Sequence, residues 1–304
     1  WSERHGGVIL SRLKCFSLKY HYRIPRMPEL PEVEVSRLGL EPELTGRLIT
    51  GAITRTPKLR YPLPDNLNKR LQGARLKEIR RRGKYLLFDI DQLPKDRTAT
   101  LILHLGMSGS LRIVTPDTPP QLHDHVDIAF GEKILRLRDP RRFGALLWHD
   151  DATPLVAHPL MAVLGVEPLE DQFNGAWLHE HLHKRSGQIK PVLMDSHLVV
   201  GIGNIYAAES LFLSGISPLR AAQRISATRC DLLADAVKQT LSAAVAAGGS
   251  SVRDYVHSDG GAGCFQLQCA VYEREGQPCV GCGKPVRRIR QAGRSTFYCP
   301  HCQK

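Results

Sequence analysis

Hydrophobic residues follow a short period in the first half of the chain. Five short segments are rich in Leu, Ile and Val and alternate in part with polar residues: KYLLFDI, TLILHLG, SLRIV, VDIAF and KILRLRD. Partial alternation predicts β-strands with one buried face. VDIAF, GE and KILRL together predict a hairpin whose turn opens at Gly131. Because no helical segment separates these strands, we expect a β-sandwich or barrel and not a parallel sheet.

One helix is predicted before the strands and several after them. Residues 31–43 favour a helix, because Pro31 suits a first turn and Glu29 and Glu32 suit its positive end. A linker is predicted at 151–160. Beyond it, helical patterns run over 175–185, 188–199, 204–215 and 226–249.

Two glycine-rich segments are candidates for functional loops. In VVGIGN, Gly201 and Gly203 allow a tight turn, and Asn204 is predicted as the N-cap of the next helix. A dinucleotide-binding loop is excluded there, because a third glycine and a preceding strand are both missing. A helix N-terminus of this kind nevertheless binds phosphate well. The second segment, SDGGAG at 258–263, predicts either a flexible connection or a closing lid.

Charge narrows the class of partner. The net charge is +12 and the pI is about 9.5, which predicts an anionic partner such as nucleic acid. Residues 69–84 carry eight Lys or Arg against one Glu, and no Asp or Glu occurs from residue 276 onward. No run of about eighteen apolar residues is present, so we expect no membrane partner.

The first 26 residues differ from the rest. They hold six basic residues and one acidic residue, with no apolar core or cleavage site of a signal peptide. We expect residues 1–26 to be a non-native or disordered extension. A basic transit peptide is the weaker alternative.

Four cysteines near the end have metal-ligand spacing. They form two C-x-x-C pairs separated by sixteen residues, Cys279 with Cys282 and Cys299 with Cys302. A single pair would leave a redox pair or a disulfide open, but two pairs at this spacing predict one tetrahedral, structural zinc. The basic segment between them predicts a cationic hairpin, in which Arg294 can present its fork to a phosphate. The remaining cysteines are expected to be isolated thiols: Cys15, Cys230, Cys264 and Cys269.

Several motifs together resemble one family. They are PELPEVEV at 28–35, RRGKYLL at 81–87, HLGMSGSLRI at 104–113, DPRRFG at 139–144, GIGNIYAAE at 201–209, VYEREGQPC at 271–279 and the four-cysteine finger. In this order they resemble bacterial formamidopyrimidine-DNA glycosylase, of the formamidopyrimidine glycosylase/endonuclease VIII family. Endonuclease VIII shares the fold and the finger, but PELPE, GMSG and DPRRFG resemble the purine-lesion branch.

The resemblance implies an α+β multidomain fold with DNA in a cleft between domains. We expect an N-terminal β-sandwich with a flanking helix at 27–150, followed by the linker. A helical helix–two-turn–helix domain is expected at 161–269 and a zinc-finger β-hairpin at 270–304.

The resemblance also implies an activity and its residues. Oxidised purines, chiefly 8-oxoguanine and formamidopyrimidines, would be excised from duplex DNA in base-excision repair, and the abasic site would be cleaved by β,δ-elimination. Pro28 resembles the nucleophile, whose free amine forms a Schiff base. Glu29 resembles the residue that protonates the sugar ring oxygen, and Glu32 a second active-site carboxylate. Lys84 resembles the lysine that contacts the lesion and its phosphate.

Other residues are implied to hold the DNA. Asn204 and Arg294 match the family's phosphate-binding pair, and Arg294 is counted with the catalytic residues as well. Met107, Arg141 and Phe143 match a wedge that fills the gap left by an everted base, although the residues alone would predict Met107 and Phe143 in the core. Two more expected DNA contacts are His123 and Arg142.

Two alternatives stay open at this point. A non-catalytic damage-binding protein could share the fold, but the presence of Pro28 and Glu29 favours the enzyme. A zinc-ribbon nucleic-acid module with an unrelated front half is disfavoured by the motifs before residue 160. We expect a monomer in the bacterial cytoplasm that associates with the nucleoid through DNA.

Overall fold

The computed structural model describes residues 27–92, 97–150, 152–249 and 269–304. The helices are α1 (Leu30–Leu44), α2 (Leu67–Leu71), α3 (Pro159–Ala162), α4 (Gly175–His183), α5 (Ile189–Leu193), α6 (Asn204–Leu213) and α7 (Ala227–Ala246). The strands are β1 (Gly51–Thr54), β2 (Arg75–Arg82), β3 (Tyr85–Gln92), β4 (Arg97–His104), β5 (Ser110–Val114), β6 (Asp124–Ala129), β7 (Ile134–Arg138), β8 (Ala145–Asp150), β9 (Arg287–Gln291) and β10 (Arg294–Tyr298). The predicted extension at 1–26, the SDGGAG segment, Cys15 and Cys264 lie outside the described residues.

Two antiparallel sheets form the first half of the chain. One has the strand order β1-β6-β7-β5 and the other the order β2-β3-β4-β8. Their facing sides share one apolar core that includes Leu86, Leu101, Val126 and Leu137. The predicted β-sandwich is therefore confirmed, and all five predicted segments contribute a strand. Strand β2 was not predicted, because most of its positions carry basic residues of the run at 69–84 and only two apolar residues mark its buried face.

Helix α1 joins the sandwich to the second half of the chain. Its residue Leu30 belongs to the helical core, whereas Val33 belongs to the core of the sandwich. The helix begins with a capping interaction in which the backbone N–H of Glu29 donates to the Glu32 carboxylate at 2.8 Å. Because α1 belongs to both cores, its first turn lies where the two halves meet.

The second half is helical, with α4, α6 and α7 packed around a buried core. The helix predicted at 188–199 is wrong beyond Leu193, where α5 ends. Asp195 there accepts a hydrogen bond from the backbone N–H of His197 at 3.0 Å, which closes a turn in place of the helix. No described helix is long and apolar enough to cross a bilayer.

Strands β9 and β10 form the hairpin predicted between the cysteine pairs. Gln291 pairs with Arg294 across a two-residue turn. The turn residues Ala292 and Gly293 have φ values of 45° and 77°, as a tight hairpin turn of the primed type requires. The turn therefore presents Arg294, which is exposed, at the end of the hairpin.

Candidate active site

The first turn of α1 meets the N-terminus of α6. The buried carboxylate of Glu29 accepts hydrogen bonds from the backbone N–H groups of Ile205 at 3.2 Å and Tyr206 at 3.5 Å. Burial raises the pKa of Glu29, and the positive charge of Lys84 opposes that rise only in part. Glu29 is thus a carboxyl group that holds a proton more readily than an exposed glutamate does.

The glycines of GIGN are required by this close approach. A Cβ atom on Gly203 would lie 2.2 Å from the carboxyl carbon of Glu29, and one on Gly201 would lie 2.6 Å from Leu30. Gly201 also has a φ of +82°, which favours glycine. The prediction that Asn204 is the N-cap is wrong by one residue: Gly203 is the N-cap and Asn204 begins α6. Glycine holds the cap position because no side chain fits beside Glu29.

Glu32 connects the two helices through a second carboxylate. Its side chain is fully buried and accepts from the backbone N–H of Glu29 and from the phenol of Tyr206, the latter at 2.6 Å. Sequence reasoning did not find Tyr206. Its position two residues after Asn204 gives no chemical pattern on its own, so only the fold reveals the contact.

Lys84 is the second residue of the two-residue turn between β2 and β3. The carboxylate of Glu167 accepts the backbone N–H of Gly83 at 2.6 Å and fixes this turn. Burial lowers the pKa of Lys84, Glu29 acts to raise it, and Arg294 acts to lower it further. Since the charges of Glu29 and Arg294 both act on Lys84, the structure brings together the predicted residues from three distant motifs. Glu167 was not predicted, because a lone glutamate after a linker carries no signal in the sequence.

Asn204 is tied to the zinc-finger hairpin by a buried lysine. The ammonium of Lys190 donates to Oδ1 of Asn204 at 2.6 Å and to the hydroxyl of Thr296 at 2.7 Å, and Asn204 donates to the carbonyl of Ser295 at 3.0 Å. Burial lowers the pKa of Lys190 to about 8. A cavity of about 90 Å³ is lined by Lys190, Asn204 and Arg294 among others. The predicted pair Asn204 and Arg294 therefore lies at one site, with Lys190 as a member that the sequence did not indicate.

A second group of predicted residues lies on two loops of the sandwich. Phe143 is 46% exposed and Met107 is half-buried, so the residue-only prediction that they are core residues is wrong for Phe143. The guanidinium of Arg141 lies 4.7 Å from the centre of the Phe143 ring. The two further predicted contacts also belong to this end of the sandwich, with an exposed Arg142 and a half-buried His123.

His104 lies between the residues around Lys84 and the loop that carries Met107. Its Nδ1 accepts the backbone N–H of Gly106 at 2.9 Å, and its ring packs against Tyr85 at a centroid distance of 4.8 Å. Burial, with a further contribution from the Lys84 charge, lowers the pKa of His104 to about 4. The imidazole is therefore neutral at pH 7 and serves as an acceptor that shapes the loop before Met107.

Glu209 of α6 anchors the chain that leads into the zinc finger. Its buried carboxylate accepts the backbone N–H groups of Ala270, Val271 and Tyr272 at 2.7 to 3.0 Å. Burial raises the pKa of Glu209, and these three hydrogen bonds oppose the rise. Sequence reasoning missed this residue too, although it belongs to the GIGNIYAAE motif.

The four predicted zinc ligands converge. Their Sγ atoms all lie within 4.8 Å of one another, and the distances are 3.8 Å between Cys279 and Cys302 and 3.5 Å between Cys282 and Cys299. Sulfur atoms at the corners of a tetrahedron around zinc, with Zn–S bonds of about 2.3 Å, lie about 3.8 Å apart. The four thiolates therefore fit one structural zinc with no coordination position left for a substrate.

Three family models match this chain in succession. They are the formamidopyrimidine-DNA glycosylase N-terminal domain at 27–146, the formamidopyrimidine-DNA glycosylase H2TH domain at 164–256 and a zinc finger found in FPG and IleRS at 276–304. A β-sandwich, a helical domain and a zinc-finger hairpin around buried carboxylates define a DNA glycosylase of base-excision repair. The chain belongs to the formamidopyrimidine-DNA glycosylase family, as its motifs predicted.

Relatives and solved structures agree with this assignment. The formamidopyrimidine-DNA glycosylase of Dechloromonas aromatica is 60% identical over 91% of this chain and the whole of the relative, and that of Thiobacillus denitrificans is 55% identical over the same shares. The fold is similar to Lactococcus lactis Fpg in complex with abasic-site DNA, at a TM-score of 0.82, 35% identity and coverage of 91% and 99% of the two chains. It is also similar to MutM (Fpg) of Thermus thermophilus, at a TM-score of 0.79, 37% identity and coverage of 91% and 98%.

Proposed function

We propose that this chain excises oxidised purines from duplex DNA and then cleaves the abasic site as a lyase. The observation that carries the proposal is the buried Glu29 carboxylate, which lies next to Pro28 and within electrostatic reach of Lys84. Support for the substrate comes from relatives of 35% identity, which have been solved with abasic-site DNA and with Fapy-dG DNA. The inclusion of 8-oxoguanine among the substrates is supported by the likeness to MutM in complex with DNA containing carbocyclic 8-oxoguanine.

The chemistry begins at the nitrogen of Pro28. Once Pro28 is the first residue, its secondary amine attacks C1′ of the damaged nucleotide, the bond from C1′ to the base breaks, and the base leaves with a proton. The amine loses its proton, and the C1′–O4′ bond opens as O4′ is protonated, which leaves an iminium between C1′ and the Pro28 nitrogen. The resulting iminium makes the neighbouring C2′ proton acidic, and elimination then releases the 3′ and the 5′ phosphate in turn. The amine must be neutral to attack. Its position ahead of the N-terminus of α1 favours the neutral amine, because the positive end of the helix dipole disfavours a second positive charge.

The two carboxyl groups of the site have different roles. A Glu29 whose pKa is raised by burial can donate its proton to the sugar ring oxygen as the base departs. Glu32 holds the backbone N–H of Glu29, and so it orients the residue next to the nucleophile. Lys84, half-buried on its turn, contacts the phosphate beside the lesion.

The remaining predicted residues bind phosphate or support base eversion. Asn204 and Arg294 hold the backbone on either side of the lesion, with charge-assisted hydrogen bonds from the Arg294 fork. A base inside a duplex must leave the stack, which costs a few kcal/mol. Met107 and Phe143 fill the gap, and Arg141 hydrogen-bonds to the partner base that is left behind. Arg142 and His123 hold neighbouring phosphates.

We further propose that the chain acts as a monomer on DNA. Its proposed parts are the β-sandwich domain at 27–150, the linker at 151–160, the helical domain at 161–269 and the zinc-finger hairpin at 270–304. The basic runs at 69–84 and after 276 make binding strongly dependent on salt, since each neutralised phosphate releases a counterion. A flat salt response would contradict the proposed cleft.

The deciding experiment uses protein that begins at Pro28 and a duplex with one 8-oxoguanine, incubated with and without borohydride. Borohydride should reduce the iminium and leave a covalent protein–DNA complex, whereas its absence should leave a cleaved strand. The Glu29→Gln variant should bind the duplex but release no base. If the unaltered protein binds damaged DNA and neither cleaves nor crosslinks, the chain is a damage-binding protein on this fold.

A further inference from the structure

We propose that Asp139 and Ser108 form a buried latch that positions the wedge residues Met107, Arg141 and Phe143 as one unit. The inference rests on the proposed function, because it concerns how the wedge is held and not whether one exists. Both latch residues are buried, with Asp139 fully so and Ser108 3% exposed. Neither is required for the proposed chemistry at Pro28.

Two loops cross side by side from one sheet of the sandwich to the other. The first crossing loop, 105–109, runs from β4 to β5 and carries Met107; the second, 139–144, runs from β7 to β8 and carries Arg141 and Phe143. Strand pairing brackets them at both ends, because β4 pairs with β8 and β5 pairs with β7. The wedge is therefore assembled from two loops whose relative position must be fixed.

The Asp139 carboxylate provides that connection. One oxygen accepts the hydroxyl of Ser108 in the first crossing loop at 2.6 Å, and the other accepts the backbone N–H of Gly144 in the second at 2.7 Å. The Ser108 oxygen in turn accepts the backbone N–H of Arg141 at 3.0 Å. One hydroxyl thus bridges a carboxylate and a backbone amide, and the two loops share a closed ring of hydrogen bonds.

The backbone of Asp139 brings a third segment to the latch. Its N–H donates to the carbonyl of His123 at 3.0 Å. Its carbonyl accepts the backbone N–H of Arg142 at 3.1 Å and lies 3.0 Å from Nε2 of His125. All five proposed DNA contacts of the sandwich therefore lie on segments that bond to Asp139 or Ser108.

Two glycines show how closely the loops approach. A Cβ atom on Gly106 would lie 2.4 Å from the carbonyl carbon of Phe143. One on Gly144 would lie 2.8 Å from the carbonyl oxygen of His104 and 2.9 Å from the Asp139 carboxylate. The loops are in backbone contact, so a displacement of one must displace the other.

The wedge needs this support because two of its side chains, Arg141 and Phe143, are exposed at the surface. Phe143 is 46% exposed, so packing around the ring does little to fix its position. The backbone beneath the ring must therefore resist the stacked bases. The Asp139 carboxylate supports this backbone directly, because its two oxygens accept hydrogen bonds from both loops. In Asp139→Asn, the side-chain amide would place an N–H₂ donor where one carboxylate oxygen now accepts. That donor would face either the hydroxyl of Ser108 or the backbone N–H of Gly144, and both of these groups donate at present.

The test is a comparison of two DNA substrates under single-turnover conditions. Ser108→Ala and Asp139→Asn should slow excision from a paired 8-oxoguanine duplex by about tenfold to hundredfold. Cleavage of a preformed abasic site, where no base is everted, should change by less than about threefold. A 2-aminopurine beside the lesion reports unstacking without catalysis, and its fluorescence rise should be delayed to the same extent as excision.

Thr100→Val is the matched control. Its hydroxyl is buried in the same sandwich and donates to the Asp89 carboxylate at 2.8 Å, away from the two crossing loops. It should lower the melting temperature about as much as Ser108→Ala and leave excision unchanged. The double variant Met107→Ala with Ser108→Ala should lose less than the product of the two single losses, since both act on one wedge.

The outcomes separate the latch from the proposed function. Unaltered protein that acts on neither substrate would refute the proposed function itself. If the unaltered protein acts on both, the latch is refuted when Ser108→Ala and Thr100→Val behave alike, or when Ser108→Ala slows both substrates equally. Multiplicative losses in the double variant would refute it as well.

Discussion

The phenol of Tyr206 lies 2.6 Å from Oε1 of Glu32 and joins the first turn of α6 to the first turn of α1. Both side chains are fully buried. The other oxygen of Glu32 accepts the backbone N–H of Glu29. The Glu32 carboxylate therefore links the Tyr206 phenol to the residue that follows Pro28. Pro28 and Glu29, the proposed nucleophile and proton donor, are therefore oriented from α6, which is distant from them in the sequence.

Tyr206→Phe tests this relationship. Removal of the hydroxyl takes a donor from a buried carboxylate, which costs about 1–3 kcal/mol. We expect a lower melting temperature and a slower borohydride crosslink to a preformed abasic site, with DNA binding retained. Tyr298→Phe, at a buried tyrosine of the zinc-finger hairpin, is the control and should crosslink at the normal rate. Equal crosslinking rates in both variants would remove the orienting role of Tyr206.

His104→Asn tests the neutral imidazole below the first crossing loop. The pKa of His104 is about 4 in the folded chain and about 6.5 in an unfolded one, so the unfolded chain binds more protons between these values. Stability contributed by the neutral ring is complete above pH 6.5 and is lost as the pH falls toward 4, by at most about 3 kcal/mol. Asparagine keeps an acceptor for Gly106 and does not titrate, so its stability should fall less over this window.

The measurement is the urea midpoint at several pH values between 4 and 7. The difference between unaltered protein and His104→Asn isolates one group from the other residues that titrate there. His183→Asn, at the exposed end of α4, should follow the unaltered protein. Parallel profiles for unaltered protein and His104→Asn would contradict the assignment.

Sequence reasoning found the elements whose signal is local. The strands alternate, the cysteine pairs have zinc spacing and the hairpin turn contains a glycine, and all of these are confirmed. It failed where a long-range contact decides the structure. Residues 194–199 have a helical pattern, but Gly165 and Val166 pair with this stretch through the carbonyls of Ser196 and Leu198. A single-sequence pattern contains no information about such a partner.

The same limit applies to the candidate site. Pro28, Glu29 and Lys84 were predicted because motifs carried them, not because spacing brought them together. Lys190 was missed, since a lysine among apolar residues in a helix predicts a solvated side chain. Only the fold shows that it is 1% exposed and bonded to Asn204 and Thr296.

Glu167→Ala tests the junction between the sandwich and the helical half. Its carboxylate, 6% exposed, accepts from Gly83 at 2.6 Å and forms ion pairs with Arg81 at 2.7 Å and Arg82 at 3.1 Å. Removing it leaves Arg81 with Glu34 as its remaining carboxylate and Arg82 with backbone carbonyls, so we expect a loss of about 1–3 kcal/mol. Thermal unfolding should show that loss, and abasic-site cleavage should slow because the turn that carries Lys84 is released. Exposed Glu170→Ala is the control, and equal melting temperatures would contradict the junction role.

Cys282→Ser tests the zinc assignment. The variant should lose the metal and bind DNA weakly, because the hairpin that carries Arg294 is held by the four thiolates. The sandwich should stay folded, since its core contains no residue of the finger. Zinc content by mass spectrometry and circular dichroism measure the two effects. Cys230→Ala, at a buried thiol of α7, should keep one zinc per chain; unchanged metal in Cys282→Ser would refute the site.

The last prediction concerns the nitrogen of Pro28. In any form where Met27 precedes it, this nitrogen is a tertiary amide with no useful basicity, and it cannot form an iminium. Protein that begins at Pro28 should therefore crosslink to 8-oxoguanine DNA in borohydride, and protein that retains residues 1–27 should not. Initiation at Met27 followed by removal of that methionine would produce the active form, and the family model matches from residue 27 onward.

Both forms should be prepared, and their masses verified before and after the reaction, so that processing of the longer form is detected. Lys84→Gln in the form that begins at Pro28 is the control for the competing amine, because burial lowers the pKa of Lys84 and makes its amine a stronger competitor than an exposed lysine. This control should retain crosslinking, although it binds DNA less tightly. Crosslinking by an intact longer form, abolished when Lys84→Gln is made in that longer form, would transfer the covalent chemistry from Pro28 to Lys84.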